Sequence, residues 1–350
     1  MNINDPYFFR ILLSIITSCL LTMVSIPVII KVVRMKHLMD EPNGRSSHKE
    51  KTPLLGGVAI FSSFIIVFML AAEFLDHDTK LQLIIPPLFI LFLIGLKDDI
   101  LVTDPYKKLV AQIIAALIIT IGADIRIGTL FGLFGIEALP FAISIFISVF
   151  VIVVITNSYN LIDGIDGLAG SMGIIASASF GLFFYLYEEY DLAILCATLI
   201  GALGGFLYFN FSKTNKIFMG DTGSLIVGFL LAVMAMKFIQ SNEVPGQSHV
   251  QNAPTVAILI LAVPLFDTLR VFLQRIIRGL GPFHPDRNHV HHYLIDKGLS
   301  HAGAALTLSV VSIILVIFSF LFIINLSTTV SFIFLLAAFG VYFASVRNFA

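Results

Sequence analysis

The sequence predicts an all-α polytopic membrane protein of about 11 transmembrane helices, with the N-terminus outside, the C-terminus cytoplasmic and a short external β-hairpin. Composition points there first: 58% of the 350 residues are hydrophobic, 12% are charged, and the mean hydropathy is +0.98, whereas soluble domains carry roughly a quarter charged residues. The apolar residues also gather into runs near the ~20 residues that cross a bilayer. Finally, lysine and arginine are unevenly shared between alternate loops, which sets topology. A formal net charge of -1 offers no basic footprint for nucleic acid. Cys19 and Cys196 fall inside apolar runs and read as small core residues, saying nothing about redox compartment.

Divided at polar groups, Gly and Pro, the chain yields spans at roughly 9–34, 53–75, 81–97, 107–123, 139–157, 168–187, 192–211, 222–240, 255–277, 304–326 and 329–346. The first has no small-residue cleavage site and is followed by further spans, so it reads as a retained helix. The third contains Pro86-Pro87 and the ninth Pro264 and Asp267, so both are expected to be bent or broken. Asp124 to Leu139 is too short and Gly-interrupted to span, which suggests the external hairpin. In span seven, Gly201 and Gly205 form a small-xxx-small pair suited to close helix packing. With this division, the outer side holds only Arg10, Lys80, Arg126 and Lys237 of the chain's 21 Lys and Arg residues. The chain reads as one domain, 1–350, with cytoplasmic loops near 35–52, 98–106, 158–167, 212–221 and 278–303.

Four polar clusters then share the cytoplasmic side. Ionisable groups bordering a membrane are costly and mark function by default. Asp98 and Asp99 end span three; adjacent carboxylates diverge on a helix, so one can accept a proton while the other holds a cation, the plainer alternative being a helix cap and a solvated acid. Lys107-Lys108 opens span four, as anchor or as phosphate contact. In NSYNLIDGIDGLAG (Asn157 to Gly170), the spacing of three between Asn160, Asp163 and Asp166 would put them on one helical face, and an oxygen-only set suits a hard cation such as Mg²⁺. Asp221, in Met219-Gly220-Asp221-Thr222-Gly223-Ser224, either caps span eight or binds metal beside a phosphate held by the helix-start amides. After span nine, HPDRNHVHH lacks the HExxH order and a Cys partner for zinc, so its imidazoles beside Arg287 fit phosphate recognition, a solvated loop being the plainer alternative.

These residues resemble the polyprenyl-phosphate N-acetylhexosamine-1-phosphate transferases over nearly the whole chain, through PNGRSSH (Pro42 to His48), PLLGG (Pro53 to Gly57), GLKDD, NSYNLIDGIDGLAG, IFMGDTGSL and HPDRNHVHH. The last motif is similar to that of the branch using UDP-N-acetylglucosamine, whose products begin O-antigen, enterobacterial common antigen or teichoic acid linkage. In the peptidoglycan pentapeptide translocase, three histidines are adjacent there, a run that Val290 interrupts here. The resemblance implies transfer of sugar-1-phosphate from a UDP-sugar to undecaprenyl phosphate, with release of UMP, by a Mg²⁺-dependent enzyme in which Mn²⁺ can substitute. It implies Asp221 and Asn160 as metal ligands, and Asp98, Asp99, Asp163 and His291 in catalysis. Substrate binding falls to Asp166, Asn210, Phe218, Lys108, Arg287, His289, His292 and His48, with Asp166, Asn210 and Phe218 toward the nucleotide. Partners are then undecaprenyl phosphate, a UDP-N-acetylhexosamine and membrane lipids in the bacterial inner membrane, with the active site on the cytoplasmic face; oligomeric state stays open, a homodimer included. Two rivals fare worse. An intramembrane aspartyl protease needs Gly where Phe218 stands, and an ion-coupled transporter would place its acids mid-span within inverted repeats.

Overall fold

The structure, a computed structural model, describes residues 6–36, 39–40, 52–72, 80–243, 250–281 and 288–347. Among them run helices α1 (Pro6–Met35), α2 (Gly56–Ala72), α3 (Ile85–Ile100), α4 (Pro105–Leu117), α5 (Phe141–Ile162), α6 (Leu168–Leu186), α7 (Tyr190–Asn210), α8 (Gly220–Gln240), α9 (Ala253–Ile260), α10 (Ala262–Ile277), α11 (Val290–Asp296), α12 (His301–Leu321) and α13 (Thr328–Arg347). Seven helical stretches are long and apolar enough to cross a membrane, or eight counting the bent α9–α10 pair as one. The protein is therefore an all-α, multi-pass membrane protein. Helices α2 and α13 are shorter apolar helices.

Helix α8 is the axis of the bundle. It is apolar all round and buried along nearly its whole length, as a helix without a solvent or lipid face must be. Around it pack α2, α3, α5, α6 and α9. Helix α1 lies farther out, against α7. Its inner stripe is Ser14, Ser18, Thr22, Ile26, Ile30 and Val33, while Leu12, Ile16, Leu20, Val24 and Val28 point outward, which is the polarity of a lipid-facing span. The Gly201–Gly205 pair packs as the sequence suggests. A Cβ at Gly205 would stand 2.6 Å from the Cys19 carbonyl oxygen, and one at Gly201 3.0 Å from the Ile15 carbonyl carbon, so the absence of side chains lets α7 touch the α1 backbone.

The two proline-bearing segments behave differently. Helix α3 is not bent, because Pro86 and Pro87 sit in its first turn, where a missing N–H costs nothing. Instead, a short 3-10 turn, Leu81–Ile84, leads into it. Span nine does break: α9 and α10 meet at 83°. Pro264 has no N–H to donate to the carbonyl of Ile260 and its ring crowds that oxygen, so the chain turns at Leu261 (φ -100, ψ 14), three residues upstream of the ring. The expected hairpin forms as a short one: an antiparallel bridge, Thr129 to Ala138, is joined by Leu139 N to Gly128 O (2.8 Å), Leu130 N to Glu137 O (3.2 Å) and Gly132 N to Ile136 O (3.2 Å) around a 3-10 turn at Leu133–Gly135. The described two-stranded sheet lies elsewhere and pairs β1 (Met39–Asp40) with β2 (Thr52–Pro53).

Candidate active site

At one end of the bundle, the first turn of α8 meets the last turn of α3, the first turn of α4 and the end of α5. Two motifs far apart in sequence join there through backbone: Phe218 N donates to Pro53 O (2.9 Å), Gly56 N to Phe218 O (2.9 Å) and Gly57 N to Met219 O (2.8 Å). The start of α2 is thus stitched to the approach of α8.

Helix α8 needs an acceptor for its orphan amides, and Met219 at its N-cap position provides none. Asp99 takes that role from α3. Its carboxylate accepts from Asp221 N (2.7 Å), Thr222 N (3.0 Å) and Thr222 Oγ1 (2.5 Å), a charge-assisted cap at the positive end of the helix dipole. Gly220, with φ 72, makes the turn beneath it. Asp221, freed from capping, turns to other partners. Lys108 Nζ lies 2.6 Å from Asp221 Oδ2 and 3.1 Å from Asp98 Oδ2, and Asp98 Oδ1 accepts from Thr103 N at 2.7 Å. On the other side, Asn160 Nδ2 reaches Asp221 Oδ1 (3.0 Å) and Ser224 Oγ (2.9 Å). Asp98, Asp99, Lys108, Asn160 and Asp221, drawn from four helices, therefore share one hydrogen-bonded cluster.

Asn160, Asp163 and Asp166 do not share a helical face. Helix α5 ends at Ile162, and Asp163 (φ -76, ψ 49) leaves the helical conformation, because Gly164 and Gly167 open a turn there. The three residues then diverge. Asp163 keeps some exposure, yet desolvation and the negative charges of Asp221, Asp99 and Asp166 hold its carboxyl well above the usual carboxylate range. Asp166 faces away from Asn160: its Oδ2 lies 2.6 Å from Lys216 Nζ and 2.9 Å from His301 Nδ1. Desolvation works against its ionisation, but the hydrogen bonds and charges of His301 and Lys216 outweigh it and bring the carboxyl below its ordinary value. Its Oδ1 is buried and has no hydrogen-bond partner, so it is an acceptor available to a ligand's N–H. Lys216 Nζ also stands 5.3 Å over the Phe218 ring. Asn210 is occupied differently. Its Oδ1 accepts from Gly167 N (2.6 Å) and its Nδ2 donates to Ile217 O (2.8 Å), so it joins the wall around Asp166 from behind.

The histidine motif closes the other flank. His289, His291 and His292 are all buried, with His291 parallel to His289 at 5.6 Å and tilted against His292 at 4.3 Å. The motif meets the acid loop directly: a Cβ at Gly164 would stand 3.0 Å from His291 Cε1. Both His291 ring nitrogens are buried without partners. Burial, then the neighbouring His292 and His289, push its imidazole down to about 3. A His depressed in the folded state contributes stability above its ordinary value of 6.5 and loses it as pH falls toward 3. We therefore expect the thermal midpoint of His291→Gln to gain on that of the parent as pH falls from about 7 to 5. Asp163 acts in the opposite sense, but parent and variant share it. His48 and Arg287 lie outside the described residues.

Residues that sequence reasoning did not single out complete the site. Lys216 counts in the sequence only toward the loop charge, and His301 opens α12 without a motif. Asp267 shows in the sequence as an interruption of span nine, although an acid inside a span was itself a signal.

Residues 81–239 match the family described as glycosyl transferase family 4. A probable undecaprenyl-phosphate N-acetylglucosaminyl 1-phosphate transferase of Bacillus subtilis (strain 168) is 30% identical over 319 residues, covering 89% of this chain and 84% of the relative. Undecaprenyl-phosphate alpha-N-acetylglucosaminyl 1-phosphate transferases of Salmonella typhi and Escherichia coli (strain K12) are 29% and 27% identical, over 79% and 81% of this chain and 74% and 76% of theirs. Fold, site and similarity together define a multi-pass membrane glycosyltransferase. The chain belongs to glycosyl transferase family 4.

Proposed function

We propose that this enzyme transfers N-acetylhexosamine-1-phosphate, with GlcNAc-1-phosphate the first candidate, from a UDP-sugar to undecaprenyl phosphate. UMP leaves, and the sugar remains on an undecaprenyl diphosphate. The relatives' names support both substrates. The observation that carries the reading is the cluster in which Lys108 Nζ lies 3.1 Å from Asp98 and 2.6 Å from Asp221, with Asn160 3.0 Å from Asp221.

The reaction brings two phosphate anions together, so the site must offer positive charge and exact placement in place of covalent chemistry. Lys108 is the mobile cation: an incoming phosphate competes with Asp98 and Asp221 for its ammonium. Asp98, braced by Thr103, orients the lipid phosphate. A phosphate monoester's second ionisation lies near pH 6, so the nucleophile is mostly dianionic at neutral pH and positioning outweighs base catalysis. Asp163, whose carboxyl is pushed upward by burial and then by its acidic neighbours, can in its protonated form donate a hydrogen bond to a phosphate oxygen. His291 and its neighbours line the path of the diphosphate, and the open Asp166 Oδ1 receives an N–H of the nucleobase.

Asp221 and Asn160 are the residues that would hold Mg²⁺, or Mn²⁺ in its place. Among the described residues no three His, Cys, Asp or Glu side chains gather as a metal cage. Magnesium is usually held by one or two carboxylates with substrate phosphates and water, so the Asp221 carboxylate fits it, and Asn160, whose Nδ2 now faces Asp221, would serve through its amide oxygen. When bound, the ion supplies charge screening on the pyrophosphate.

The excess of Lys and Arg on the site's side of the bundle supports a cytoplasmic active site in a bacterial inner membrane. On this reading the α9–α10 pair is one span and α2, α3 and α13 cross as well, which makes about 11 spans with the N-terminus outside. The test is UMP release by purified, lipid-reconstituted protein with UDP-GlcNAc, UDP-GalNAc or UDP-MurNAc-pentapeptide as donor. We expect UMP with UDP-GlcNAc, only when undecaprenyl phosphate and Mg²⁺ are present. No UMP with any of the three donors would sink the assignment, and UMP with the pentapeptide donor alone would move it to the translocase.

A further inference from the structure

Asp267 lies in α10 and is almost fully buried, as is Arg270 one turn on. Four groups from three parts of the chain, α10 itself, the start of α11 and α13, converge on its carboxylate. Oδ1 accepts from Arg270 Nη2 (2.8 Å), Val290 N (3.0 Å) and Tyr342 Oη (3.2 Å), and Oδ2 faces His289 Nδ1 at 2.8 Å. Arg270 in turn donates to the Asn288 carbonyl, sits 5.5 Å from the Tyr293 ring and bonds Gln274 at 3.3 Å. The ion pair thus grips both sides of His289, at Asn288 and at Val290. Burying such a pair is a poor way to gain stability, since apolar residues of similar volume often do as well or better. What apolar residues cannot do is choose which nitrogen of an imidazole carries the hydrogen.

We propose that Asp267 is a positioning residue for the histidine motif. Through its Oδ2 it holds His289 with hydrogen on Nδ1, so that Nε2 is the nitrogen left to meet substrate and the ring stays parallel to His291. An ionised carboxylate only accepts, and Arg270 beside it favours the ionised form, so the hydrogen between them belongs to Nδ1. The same carboxylate fixes Val290 N, the residue between His289 and His291, and so sets the spacing of the imidazole rack. Tyr342 brings α13, at the far end of the chain, into this support. The site-facing role of Nε2 rests on the reaction proposed above; the tautomer does not.

The test reads ¹⁵N-histidine spectra of the reconstituted protein, with His289→Gln assigning the signal, alongside turnover. The parent is expected to show hydrogen on His289 Nδ1. Asp267→Leu with Arg270→Met removes the acceptor and the charge together, and is expected to lose that Nδ1 preference and to lower kcat about 10- to 100-fold, as loss of a supporting hydrogen bond does around metal-site histidines, with donor KM changed less. A parent His289 bare at Nδ1 overturns the proposal, whatever the variant does. So does a folded double variant that keeps the Nδ1 preference or turns over within about twofold of the parent. If the parent shows the Nδ1 hydrogen but releases no UMP, the reaction assignment fails while the clamp stands.

Discussion

Asp221→Ala is expected to lower UMP release at least about 100-fold, the scale on which loss of one charge-stabilising group acts in a water-poor site. Two effects combine. The substitution removes the oxygen that would hold the cation, and it leaves Lys108 with Asp98 alone and Asn160 Nδ2 with Ser224 alone. Lys108 would then close on Asp98, the group needed for the lipid phosphate. Because Asp99, not Asp221, caps α8, the fold should survive, and the thermal midpoint should stay near that of the parent. Activity above a tenth of the parent's would contradict the role given to Asp221; a collapse of the fold would contradict the assignment of the cap to Asp99.

Gly57→Ala should act in the opposite way, on the fold before the chemistry. A Cβ there would stand 2.5 Å from Gly223 Cα and 2.7 Å from the Thr222 carbonyl carbon, all of it backbone in the first turn of α8. No side-chain rotation relieves this, so α2 must move off α8 and strain the bonds from Gly56 and Gly57 to Phe218 and Met219. Overpacking of this kind costs about 1–3 kcal/mol or more. The thermal midpoint should drop and turnover should fall with it, since the same turn carries Asp221. An unchanged midpoint in a detergent melting assay would show that the contact has slack that the geometry does not.

Much of this was readable from residue order. The apolar runs and the Lys and Arg distribution declared a membrane bundle, and span seven's glycines announced a close helix contact that α1 supplies. The motif glycines and acids pointed at α8's first turn and at the loop after α5. What residue order could not convey was who answers whom. Spacing of three suggested one face for Asn160, Asp163 and Asp166, but Gly164 and Gly167 end that helix and send Asn160 to Asp221 and Asp166 to Lys216 and His301. Pro86-Pro87 read as a kink and proved a start, because a proline's effect depends on which turn of a helix it occupies.

By itself, then, the sequence determined the class of protein, its apolar spans and the small set of polar residues that a bilayer would not tolerate without purpose. Only the packing of the helices decided that Asp99 caps α8, that Asn210 braces the loop backbone, and that Asp267 holds His289. Periodicity records which way a side chain leaves its own helix. It carries no record of the neighbour some hundred residues away whose carboxylate or amide comes to rest within 3 Å, and in a low-dielectric interior it is that neighbour which sets charge, hydrogen and role.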